Sequence, residues 1–159
     1  MTDLDLQNAL IRELEELVDH QSLKKLDGEV WKDFNIYRQD KPYKNDEADE
    51  ADADQEDYII VMLGDEDTDQ DGRWIVDIHI LISIMLLEEE HQGNLILATL
   101  MNQIDLHLSK KGIIAGCYEM EPEKHKRFNH ECYPNYYECD LITKWKLPAA
   151  NMEGIEELI

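Results

Sequence analysis

The sequence predicts an α+β fold, a mostly antiparallel or mixed sheet with two main helices packed on one face, formed by a single domain over residues 1–159. Three observations predict it. Trp74, Val76, Ile78, Ile80, Ile82, Ile84 and Leu86 recur at every second position, the pattern of a strand with one buried side. Leu97, Leu100, Met101, Ile104 and Leu108 recur at helical spacing instead, and the polar EEEHQG between the two segments marks the change of period. The other strand-like segments are joined by connections of hairpin length, which favours antiparallel neighbours.

Taken in order, Leu6, Leu10, Leu14 and Leu17, with Val18 beside them, form one apolar stripe among acids from Asp3 to Asp19, an amphipathic helix. Gly28 breaks the segment that follows, and the aromatic and β-branched run after it predicts a short strand near Phe34 to Tyr37, closed by Pro42. Residues 44–57 have no apolar face and repel one another, so an exposed loop between two strands is expected there. Tyr58 to Leu63 is a short apolar strand, and GDEDTDQDG turns it back into the Trp74 strand as a hairpin. The second side of that strand, with Asp77, His79 and Ser83 among apolar residues, is mixed and expects partial cover from a helix or another subunit. Gly112 stops the second helix. Strand character then runs from Ile113 to Met120 and on towards Phe128, interrupted by Pro122 and the charged EKHKR run. Tyr137, Cys139, Leu141, Thr143, Trp145 and Leu147 share one face of a last strand that Pro148 ends, and a tail over residues 149–159 follows.

A chain of 159 residues with 43% hydrophobic content can bury an ordinary core. No apolar run has the length of a membrane span and residues 1–10 lack a signal-like segment, so a soluble protein with no membrane partner is expected. Cys117, Cys132 and Cys139 are odd in number and widely spaced, which points to reduced thiols in a cytoplasm. The formal charge of −22 is concentrated in two places: residues 44–57 contribute −7 and residues 65–71 contribute −5. Such a surface repels nucleic acid over a reach of about 8 Å at physiological salt.

Three sets of residues could carry chemistry. Asp67, Asp69 and Asp71 before Gly72 match the first half of a calcium loop, but Ile78 stands where its bidentate glutamate belongs, and a solvated hairpin tip is the preferred reading. Cys117, His125, His130, Cys132 and Cys139 are possible zinc ligands without the close pairing a zinc site uses, and no nucleophile signature surrounds the cysteines. Glu88, Glu89, Glu90 and His91 form a carboxylate cluster at a strand-to-helix corner, better read as a solvated loop with negative charge suited to a helix start. His79 reads as a hydrogen-bonded sheet residue. With no Walker loop, no G-x-G-x-x-G and no H-E-x-x-H, neither catalytic nor cofactor-binding residues are expected, and the protein is read as no enzyme and as using no cofactor. The alternatives are a metal-binding or hydrolytic protein built on the 67–71 loop or the Cys/His set, and an acidic adaptor that mimics DNA.

Several phrases together resemble the tail-completion or tail-terminator proteins of long-tailed phages and prophages. They are FNIYRQDKP (Phe34 to Pro42), the acidic stretch followed by YIIVML, then WIVDIHILI, the HQG before the second helix, and TKWKLP (Thr143 to Pro148). The resemblance covers Val30 to Pro148. It departs from the family pattern in the long acidic insertion and in the charged Glu121 to His130 stretch. The resemblance implies a ring homo-oligomer, commonly a hexamer, at the head-proximal end of the tail tube. Its partners would be the tail-tube protein and a head-completion or connector protein, in the host bacterial cytoplasm during assembly and in the virion tail afterwards. DNA would pass through such a ring without being bound, and negative charge would let it slide where lysine or arginine would hold its phosphates. Asp46, Glu47, Asp49, Glu50, Asp52 and Asp54, with Asp65, Glu66, Asp67, Asp69 and Asp71, are therefore the expected lumen or assembly face.

Overall fold

A run of β-branched residues with one continuous apolar side is stable as a pleated ribbon only when that side is covered, and the whole architecture follows from how the central strand is covered. The computed structural model describes residues 1–20, 22–25, 27–31, 34–42, 56–86, 92–130 and 135–150. They form α1 (Asp3–Asp19), β1 (Phe34–Arg38), β2 (Asp57–Thr68), β3 (Trp74–Met85), α2 (Gly93–Lys111), β4 (Ile113–Ile114), β5 (Tyr118–Met120), β6 (His125–Asn129) and β7 (Tyr136–Lys146). The strands make one seven-stranded sheet in the order β1-β2-β3-β7-β5-β4, with β6 also paired to β7. All pairings are antiparallel except that of β1 with β2. The fold is thus α+β with a mixed, mostly antiparallel sheet.

Val76, Ile78, Ile80, Ile82 and Ile84 have no exposed surface and belong to one cluster with Leu6, Leu10 and Leu14 of α1, Leu97, Leu100 and Ile104 of α2, and Cys139, Leu141 and Trp145 of β7. Both helices therefore lie on the same side of the sheet. Trp74 departs from the expected apolar face: it stands at the hairpin end of the ladder, opposite exposed Thr68, and is 50% exposed. Thr143, inside the core, is satisfied by donating to the Ile78 carbonyl and accepting from Trp145 Nε1, so a hydroxyl and an indole are buried without an unpaired group.

The helix ends follow their local chemistry. Thr2 and Asp5 form a reciprocal capping box at the start of α1. Gly112, at φ +66°, ends α2 with its N–H on the Leu108 carbonyl, and Lys110 and Lys111 in the last turn suit the helix dipole.

Three boundaries differ from expectation. β2 continues to Thr68, so Asp65 to Asp67 are strand residues and the turn proper is confined to residues 69–73, closed by the Asp69 N–H on the Arg73 carbonyl. Residues 113–129 break into three short strands, because no apolar run there is long enough to hold one ladder. The acidic insertion joins parallel neighbours, which needs a long crossover where a tight hairpin would suffice for antiparallel ones. The end of β1 is fixed by an amide pair: buried Gln7 donates to the Val61 carbonyl at 2.8 Å and to Gln39 Oε1 at 3.0 Å. Gln39, at φ +68°, gives its own N–H to the same Val61 carbonyl and its Oε1 also accepts the Leu63 N–H. Asp46, Glu47, Asp49, Glu50, Asp52 and Asp54, the Glu88 to His91 cluster, Cys132 and residues 151–159 lie outside the described residues.

Candidate functional site

With both helices on one side, the other face of the sheet carries no helix among the described residues. The ladder registers place Ile60 and Met62 of β2, His79, Leu81 and Ser83 of β3, Asp140 and Ile142 of β7, and Arg127 of β6 on that open face. Ile60 and Ser83 are buried there and Met62, Leu81 and Ile142 half-buried, so the expected mixed face exists, and no helix among the described residues covers it.

His79 Nδ1 lies 2.8 Å from Asp140 Oδ2, which orients the ring. Its Nε2 sits over Gly64, where an added Cβ would come within 2.7 Å. Gly64 and Asp65 together oppose Asp77, since Leu63 pairs with Ile78 and Glu66 already with Val76; this bulge twists the hairpin and lets the imidazole approach the backbone.

The bulge also divides the acids that the sequence groups together. Asp65, Asp67 and Asp71 are exposed. Asp67 pairs with Ile75 on the open side, whereas Glu66 pairs with Val76 on the helix side, against the start of α1. Burial pushes the Glu66 carboxyl up from its ordinary range, and the hydrogen bond and charge of the Asp3 carboxyl add to it. Asp69 is consumed by its own turn: its carboxylate pairs with Lys146 at 3.0 Å and accepts the N–H groups of Asp71 and Arg73. The Lys146 hydrogen bond, then that of the Arg73 N–H, hold the Asp69 carboxyl below its usual range. Asp67, Asp69 and Asp71 are not gathered around a common point, and among the described residues no three His, Cys, Asp or Glu side chains are.

The Cys/His set is dispersed in the same way. Cys139 faces the core, and burial pushes its thiol up to about 12. His125 pairs with Ile142 on the opposite face, His130 is exposed and stacks on Phe128, and Cys117 sits in the β4–β5 turn.

A second network stands where the acidic insertion leaves and rejoins the sheet. Glu56 accepts from Tyr37 Oη at 2.8 Å, and Lys41 Nζ lies 3.1 Å from it and 4.5 Å above the Tyr58 ring. Burial first, then the Glu56 hydrogen bond, raise the Tyr37 hydroxyl to about 12. The Asp3–Glu66, His79–Asp140 and Lys41–Glu56 relationships were not read from the sequence. Each joins polar residues that lie apart in the sequence and carry no local signal of their pairing.

No protein-family model matches this sequence, and no curated protein matches it. Among solved structures, the chain is similar to a chain of the virion of a native gene transfer agent (GTA) particle. The two share 13% identity at a TM-score of 0.35, over 72% of this chain and 78% of that one. A likeness of that depth carries no argument about function. No described helix is long and apolar enough to cross a membrane.

Proposed function

We propose that this chain is a structural assembly protein of a phage or prophage tail and not an enzyme. More narrowly, it is read as a terminator that forms a hexameric ring on the tube, at the head-proximal end of the tail, and joins it to a head-completion protein. The observation that carries the reading is the open sheet face, where Met62, Leu81 and Ile142 stand half-buried with no described helix above them. A face of this kind suits contact with another subunit, since covering it removes apolar area from water and leaves Asp140, His79 and Arg127 to set register.

The acids have a place in the same reading. Asp65 and Asp67 are exposed at the end of β2 and Asp71 on the turn that the Asp69 hydrogen bonds stiffen, and they would face a lumen through which DNA slides without binding. Co-expression with a tail-tube protein from the same genome, followed by electron microscopy, tests the reading. The chain is expected as a ring on one end of each tube, with tube growth stopped there. Tubes that grow unaltered and carry no chain would contradict it, and a ring with the hairpin on its outer rim would end the lumen assignment.

A further inference from the structure

A groove of about 800 Å³ lies between the start of α1, the β2–β3 hairpin and the residues after β7, at the hairpin end of the sheet and away from the His79–Asp140 pair. Its walls include Met1, Asp3, Glu66, Arg73, Trp74 and Leu147. Three of these bear on what the groove would hold, one of them, Asp3, also accepting the Leu4 N–H on its Oδ1 at 2.8 Å. Trp74 is half exposed, whereas Trp31 and Trp145 are buried. Asp3 and Glu66 put two carboxyl groups together, and among the described residues neither forms an ion pair with lysine or arginine. The nearby cations are engaged elsewhere: Arg73 Nε donates to the Leu147 carbonyl, its guanidinium lies 4.0 Å from Glu119, and the Met1 amine lies 3.4 Å from Asp5.

We infer that this groove docks an arginine-bearing peptide segment of a partner protein, with a guanidinium between the Asp3 and Glu66 carboxylates and against the Trp74 indole. Charge complementarity selects this occupant. Two facing carboxylates repel unless a proton or a cation lies between them, and a planar guanidinium can bridge both while stacking on an aromatic face. An anionic segment would meet the same pair and a −22 chain. A wholly apolar one would cover the carboxyls without a partner. Burial and the Asp3 carboxyl raise the Glu66 carboxyl and a bound cation lowers it, so binding releases protons in the acidic range where that carboxyl titrates. The inference stands on the groove alone and does not depend on the tail-assembly reading.

The test is a titration of the full chain with the peptide acetyl-Gly-Arg-Leu-Arg-Gly-amide, read by Trp74 emission, with the citrulline peptide as the uncharged control. A saturable change is expected, absent with citrulline and lost in Trp74→Phe. The apparent Kd should rise at least tenfold in Asp3→Asn/Glu66→Gln and stay within about twofold in Glu121→Gln/Glu123→Gln, which removes the same charge elsewhere. Calorimetry of the unaltered chain through the acidic range, in two buffers of different ionisation enthalpy at each pH, gives a measurement free of any folding defect, and should show protons released on binding as Glu66 titrates. No saturable change, equal weakening in both double variants, or binding without proton release anywhere in that acidic range would overturn the inference.

Discussion

His79 and Asp140 meet on the open face of the sheet, Nδ1 2.8 Å from Oδ2, and the other ring nitrogen lies where a Cβ on Gly64 would have to stand. Gly64→Ala therefore has to displace the imidazole and loosen its hydrogen bond, at a cost of about 1–2 kcal/mol. His79→Ala alone costs about 1 kcal/mol or less, as suits a half-exposed pair, and leaves the fold intact. In a double-mutant cycle by urea denaturation, the Gly64→Ala cost should largely vanish in the His79→Ala background. Additive costs would show that Gly64 is needed for its backbone and not for the ring above it.

Ile80 sits at the centre of the core with no exposed surface, paired with Val61 on one side and Leu141 on the other. Ile80→Asp places a carboxylate among these with no partner, a loss of more than about 4 kcal/mol. The variant should show no cooperative thermal transition by circular dichroism. A retained transition would mean that the sheet can open at β3 without losing the domain.

Glu13 ties α1 to α2 through Lys111 at 2.8 Å and His107 at 3.1 Å. Burial pushes its carboxyl up, but the hydrogen bonds of Lys111 and His107 outweigh this and hold it below the ordinary value of 4.5. Since the folded state lowers this carboxyl, its contribution is present above the unfolded value and lost as the pH falls through the folded one. Glu13→Gln should cost about 1 kcal/mol at pH 7 and converge with the unaltered protein in acid. A difference that persisted at low pH would assign the effect to packing.

The parts of the fold that were legible in the sequence are those decided within one element. The stripe from Leu6 to Leu17, the alternation of Val76 to Ile84 and the Tyr137 to Leu147 face each name their buried side from their own spacing, and the structure buries those sides. What was not legible depends on partners distant in sequence. The parallel β1–β2 pairing joins strands separated by a segment whose sequence has no apolar pattern, and it is held by Gln7, a polar residue within the apolar stripe of α1 whose partners, Val61 and Gln39, lie far along the chain. The acids from Asp65 to Asp71 read as one exposed cluster, whereas the bulge opposite Asp77 turns Glu66 to the helix side and the turn itself consumes Asp69. Trp74 was counted as core because alternation gives the face of a strand and not where the covering helices end.

The central claim is that this chain is a built part of a tail particle, and quantitative mass spectrometry of density-purified particles from the source strain tests it most directly. The account predicts the chain in a small, fixed number of copies per particle, as a single ring requires, retained after a high-salt wash. Particles of normal morphology that lack the chain altogether would contradict it.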